Sequence, residues 1–194
     1  MRSKNRAESN SKRKRRRNSR LLWGAIAVIG VGVLGYALWV AFRPSYGESI
    51  PVMADSNHVN EGEDPGPYNS NPPTSGPHYV NEFNAGFYDE SDIDSLPEYP
   101  EGFLVHNLEH GYVIFWYNCN VLDPQSCTNL KNQIKSVMDK FNSVKLIAFP
   151  WESLKVPVVM TSWGKLQEFK EFDDGQAATF VERNRNRSPE PNAP

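Results

Sequence analysis

Residues 102–117 read GFLVHNLEHGYVIFWY and join two histidines, a carboxylate and an unbroken apolar run. Backbone period decides whether His106, Glu109 and His110 can act together. On a strand, residues four apart stand roughly 13 Å from each other, whereas on a helical turn their Cβ atoms are roughly 6 Å apart. A shared site therefore predicts a helical turn ending near Gly111, because glycine tolerates the left-handed conformation that closes a helix. The residues that follow, Tyr112, Val113, Ile114, Phe115, Trp116 and Tyr117, are aromatic or β-branched without polar alternation. That pattern predicts a central strand buried on both faces, with the histidines at its mouth.

Downstream, Asp123 before Pro124 is an N-cap followed by proline at the first helical position. Leu130, Ile134, Val137, Met138 and Phe141 then recur as the stripe of an amphipathic helix. Residues 144–149 (VKLIAF) and 156–163 (VPVVMTSW) read as two further strands. The intervening helix favours parallel pairing of the first two strands, and the short connection at 150–155 favours an antiparallel neighbour. A last helix is expected from Asp174 through Phe180 to about Arg185, followed by a tail, 188–194. The fold class is α+β, a compact unit over 68–187 with a small mixed sheet packed by helices.

Upstream, residues 68–79 read YNSNPPTSGPHY. Pro72, Pro73 and Pro77 each fix φ, so this is a shaped loop, and it can present His78 toward His106 and His110. Residues 81–100 are acidic and turn-rich and carry no regular element with a clear signature. Residues 43–67 have no apolar period and read as a flexible stalk, in which His58 is expected to be solvated.

Charge divides the chain sharply. Residues 1–20 hold ten Lys or Arg and one acid, Glu8, which leaves eleven of the 21 basic and twenty-two of the 23 acidic residues from Arg43 onward. Between them, residues 21–42 (LLWGAIAVIGVGVLGYALWVAF) carry no charge. As a helix they extend about 33 Å, enough to span a bilayer core. Trp23 lies near one end, Tyr36 and Trp39 near the other, suiting the two interfaces. The run is too long for an ordinary signal-peptide h-region, and no small-x-small cleavage site follows it. The expectation is a single-pass membrane protein with a cytoplasmic basic tail, an acidic extracytoplasmic domain and anionic lipid headgroups as partners of the tail. Nucleic acid is the poorer partner for a basic run beside a spanning helix.

Cys119 and Cys127, eight positions apart, are expected to form a disulfide on the oxidising side of that membrane. The spacing is not C-x-x-C and does not support thioredoxin-like redox chemistry. His106 to His110 formally matches H-x-x-E-H, the inverted zinc-protease pattern, but that chemistry needs a long helix and a further distant carboxylate. A metal-dependent hydrolase is thus the least favoured reading, and two non-catalytic readings stand ahead of it. His78, His106 and His110 supply three imidazoles for zinc or copper, with Glu109 or Met160 as a fourth ligand. Alternatively, the same histidines form a hydrogen-bonded network with Asn107, Glu109 and Thr74 that serves a structural or protein-interaction domain of the envelope.

The combination YNSNPPTSGPHY, HNLEHGYVIFWY and, at 161–164, TSWG resembles the DUF 3105 family of uncharacterised bacterial proteins, membrane-anchored or secreted. The resemblance covers roughly residues 68–187. It implies that the two histidine-bearing motifs belong to one domain, and it supplies no activity, substrate or catalytic residue.

Overall fold

The computed structural model describes residues 23–39 and 45–193. The chain separates into two compact units, Met1–Pro44 and Ser45–Pro194. In the first, residues 23–39 form a helix, α1, whose side chains are all exposed. Among the described residues no helix is long and apolar enough to cross a membrane. At the usual rise α1 extends about 26 Å against a hydrocarbon core about 30 Å thick. The remainder of the expected span, residues 21–22 and 40–42, lies outside the described residues, as does the basic segment 1–20.

The second unit is α+β and is built on one six-stranded mixed sheet. Its strands are β1 (Glu48–Ser49), β2 (Gly86–Phe87), β3 (Val113–Tyr117), β4 (Leu146–Pro150), β5 (Val158–Ser162) and β6 (Lys165–Phe169), in spatial order β1-β6-β5-β3-β4-β2. Every residue of β3, β4 and β5 is buried, as continuous apolar runs require of strands covered on both sides. On one face Val113, Phe115 and Tyr117 pack with Leu130, Ile134, Val137 and Phe180, contributed by α3 (Pro124–Lys140) and α4 (Asp174–Asn184). On the other face Ile114 and Trp116 pack with Leu104 and Leu108 of α2 (Pro100–Glu109).

The cap expected at Asp123 is present, its carboxylate accepting from the amides of Gln125 and Ser126 at 3.0 Å each. Cys119 and Cys127 are joined by a disulfide with their Cα atoms 5.3 Å apart, a separation ordinary for such a link. It ties the end of β3 to the first turn of α3.

Strand pairing departs from expectation in one respect. β3 and β4 are parallel, but β5 pairs antiparallel with β3 rather than with β4. The outer edge of β4 is taken by β2, and the connection after β4 crosses the end of β3, where the Trp151 amide donates to the Tyr117 carbonyl at 2.8 Å and the Asn118 amide to that of Pro157 at 2.9 Å. β6 carries too many polar residues to register as a strand on pattern, yet it follows β5 through a tight turn at Gly164, φ +65°.

Residues 45–67 are not a detached stalk. β1 pairs with β6, the Ile50 amide donates to Gly164 at 3.0 Å, and His58 bridges His78 in parallel, with the Val59 amide donating to the His78 carbonyl at 2.8 Å. Backbone pairing holds this segment, which is why apolar periodicity gave no sign of it. Residues 188–193, expected to trail as a tail, instead run past the end of α2, where the Glu190 amide donates to the Glu109 carbonyl at 3.1 Å.

Gly102 makes the loop and helix fit. A Cβ at this position would collide with the fully buried ring of Tyr79, whose amide donates to the Gly102 carbonyl at 3.1 Å. Alanine ordinarily stabilises a helix by about 1 kcal/mol relative to glycine, but overpacking a filled core costs about 1–3 kcal/mol. The second effect wins here, so Gly102→Ala is expected to lower stability in urea unfolding. A variant as stable as the parent refutes this account of the loop-to-helix contact.

Candidate metal centre

The site is assembled where three segments meet at the carboxyl end of α2. His106 and Glu109 project from the last turn of α2, and His110 is its C-cap residue. Gly111, at φ +86°, then turns the chain into β3. The expected helical turn is thus a complete helix, and it brings His106 and His110 to a ring separation of 4.2 Å. His78 comes from the proline loop, which is shaped from within. The Tyr68 hydroxyl donates to the Pro77 carbonyl at 3.0 Å, and the Ser70 hydroxyl to that of Pro72 at 2.9 Å. The loop is also bound from outside, the Gly164 amide donating to the Thr74 carbonyl at 3.0 Å. The TSWG segment therefore braces the PPTSGPH segment.

The expected triad is not one group. Two overlapping groups share His106: His58, His78, His106 and Glu109 form one, and Glu82, His106 and His110 the other, each with its ligand atoms within 4.8 Å of one another. Sequence reasoning missed His58 and Glu82. His58 is exposed, as expected, but its ring lies 4.8 Å from that of His78 and 5.3 Å from that of His106. All 4 histidines of the chain are therefore in one cluster. No local pattern could reveal it, because His58 and His78 meet through a bridge between separate segments.

Met160 does not belong to the site. It is fully buried on β5 among Val113, Phe115 and Ala148, on the face covered by α3 and α4 and away from α2. Glu90, Cys119 and Cys127 also lie together, but the sulfurs are committed to the disulfide. Asn107 uses both ends of its amide on Phe83, accepting from its amide at 3.1 Å and donating to its carbonyl at 2.8 Å. It fixes the 81–88 segment to α2. Thr74 has no side-chain partner among the described residues and takes no part in a network.

His78, His106 and His110 differ in how they are satisfied. His78 Nδ1 lies 2.8 Å from the Gly76 carbonyl and Nε2 3.0 Å from Glu109 Oε2. A neutral imidazole can donate to only one of these acceptors. With Nδ1–H on the backbone carbonyl, Nε2 faces the cluster beside a carboxylate, the arrangement by which proteins orient metal-binding imidazoles. His110 Nδ1 lies 2.8 Å from Glu82 Oε2. His106 is 6% exposed, and its buried Nδ1 has no hydrogen-bond partner. Burial pushes its pKa down to about 4, with repulsion from His110, His78 and His58 adding to the effect. At neutral pH it is an uncharged ring with a lone pair to offer.

Three imidazoles and a carboxylate suit a tetrahedral ion. Ligand atoms at about 2.0–2.1 Å from such an ion stand about 3.3 Å apart, so the inner group, His58, His78, His106 and Glu109, needs to contract by on the order of an ångström. The H-x-x-E-H spacing does not assemble as in an inverted zinc protease, since the carboxylate grouped with both His106 and His110 is Glu82, whereas Glu109 is engaged with His78.

A family model described as "Protein of unknown function (DUF3105)" matches residues 58–194. The chain belongs to the DUF3105 family. No curated protein and no solved structure matches it. The DUF3105 match takes in all four histidines together with Glu82 and Glu109, so the whole cluster lies inside one family domain.

His106 also sets a pH dependence. Between about 6.5 and about 4 the unfolded chain carries a proton on this residue that the folded state does not, so stability falls as pH falls through that window. In metal-free protein the His106 ring is expected to titrate by NMR with a midpoint near 4, and His106→Phe is expected to flatten that part of the stability profile. A midpoint near the ordinary 6.5 contradicts it.

Proposed function

We propose that the DUF3105 domain of this chain binds a divalent transition ion, zinc or copper, through His58, His78, His106 and Glu109. The observation that carries the reading is His106. A buried polar atom without a partner costs about 1–3 kcal/mol, and the ring that carries this one sits among three other imidazoles. A bound cation resolves both the missing partner and the need to keep neighbouring imidazoles uncharged. The His78–Glu109 and His110–Glu82 pairs favour the second reading, a metal-free scaffold for an envelope protein partner, but that reading leaves His106 unexplained.

Elemental analysis and calorimetric titration of the purified full chain test the proposal. The parent is expected to bind Zn²⁺ or Cu²⁺, and His78→Ala and His106→Ala to weaken the ion by well over ten-fold with the circular dichroism spectrum retained. Equal affinity in parent and variants, or no metal in any form, returns the cluster to the scaffold reading.

The location proposed for this domain is extracytoplasmic, anchored by residues 21–42 with residues 1–20 in the cytoplasm against anionic headgroups. The charge asymmetry, the exposed apolar side chains of α1 and the Cys119–Cys127 disulfide support it. A reporter active only outside the cytoplasm, fused after Pro194, is expected to be active, and activity only from a cytoplasmic reporter overturns the topology.

A further inference from the structure

The metal reading leaves the other edge of the cluster unused, and the geometry there is specific. Glu82 Oε2 lies 2.8 Å from His110 Nδ1, placed to accept the Nδ1 proton, and in the neutral ring that tautomer has its lone pair on Nε2. A carboxylate behind an imidazole in this way orients it for an ion. His110 Nε2 faces Glu190 Oε2 at 3.6 Å. That distance is too long for a hydrogen bond but close to the roughly 3.3 Å between two atoms ligating one tetrahedral ion. Beside them stands His106, more than nine-tenths buried and with its Nδ1 unpartnered, and one of its ring nitrogens lies within 4.8 Å of ligand atoms of both Glu82 and His110.

Glu190 is delivered there by a built contact. The Asn186 amide donates to the Gly111 carbonyl at 2.9 Å, and the Glu190 amide to that of Glu109 at 3.1 Å. The Lys145 ammonium donates to the carbonyls of His110, Pro191 and Ala193 at 2.9, 3.1 and 2.8 Å. One lysine thus ties the end of α2 to the chain just beyond Glu190. The carboxylate itself remains 60% exposed, open to an arriving ion and to water.

We propose that the cluster takes a second divalent cation at an outer position formed by His110 Nε2 and Glu190, with Glu82 orienting the imidazole and water completing the shell. This rests on the metal reading of the inner group. An imidazole with a carboxylate and water suits zinc and also manganese or iron(II), and the outer ion binds more weakly than the inner one because it has fewer protein ligands.

Zn²⁺ titration of the full chain decides it. The parent is expected to bind two equivalents, the second weaker. His110→Ala is expected to leave one equivalent, and Glu190→Gln to weaken the second by about 10–100-fold. Lys145→Met keeps Glu190 but frees the segment that carries it, and is expected to weaken the second equivalent as well. His78→Ala is expected to weaken the first and spare the second. A parent that binds one equivalent, weakened in His78→Ala and unaltered in Glu190→Gln, overturns the outer position and leaves the inner site standing. Two unaltered equivalents in both His110→Ala and Glu190→Gln also overturn it, and no zinc in any form overturns both sites.

Discussion

Every residue of β3 is buried, so its backbone groups must be paired on both edges and both of its faces must be covered. β4 and β5 supply the edges, α3 and α4 one face, and α2 the other. Because α2 passes into β3 through Gly111, the covering helix and the central strand cannot move independently. The last turn of α2 is therefore held at the mouth of the core, and the histidines it carries stand on a helix packed against the central strand. Anchoring on rigid elements is what a ligand site requires if its atoms are to converge within a fraction of an ångström.

The end of α2 also presents an electrostatic problem. The carbonyls of a final helical turn lack intrahelical partners and carry partial negative charge. The chain answers with donors brought from a distance: Asn186 for Gly111, Glu190 for Glu109 and Lys145 for His110. The same feature favours cations nearby, and three carboxylates, Glu82, Glu109 and Glu190, add to that preference. The His106 imidazole, held uncharged by burial and by repulsion from its neighbours, contributes a lone pair rather than positive charge. A cation is the one kind of ligand for which carboxylates, neutral imidazoles and a helix carboxyl end all act in the same direction.

Local chemistry made part of this legible. The continuous apolar run of β3, the Asp123–Pro124 helix start and the stripe from Leu130 to Met138 are patterns set by neighbours in the chain, and they fold as read. His106, Glu109 and His110 were recognisable because helix period brings residues three and four apart together. His78 was recognisable because a proline-braced loop holds whatever it carries. Met160 failed as a ligand for a reason visible only in the sheet: its side chain points to the α3 and α4 face, and strand register decides that.

What the sequence determined by itself was the three buried strands β3, β4 and β5, the helices α3 and α4, the α+β class and the two histidine-bearing motifs, because these follow from backbone period and from residues that restrict φ. The tertiary structure alone decided that His58 joins the cluster through a bridge to His78, that Glu82 and Glu190 reach His110 from opposite directions in the chain, and that β5 lies beside β3. It also divided the expected triad into two groups around His106. All of these depend on contacts between distant segments made through backbone amides and carbonyls, with the Asn107 and Lys145 side chains as partners at two of them. Backbone groups, which every residue carries, leave no mark in composition or periodicity.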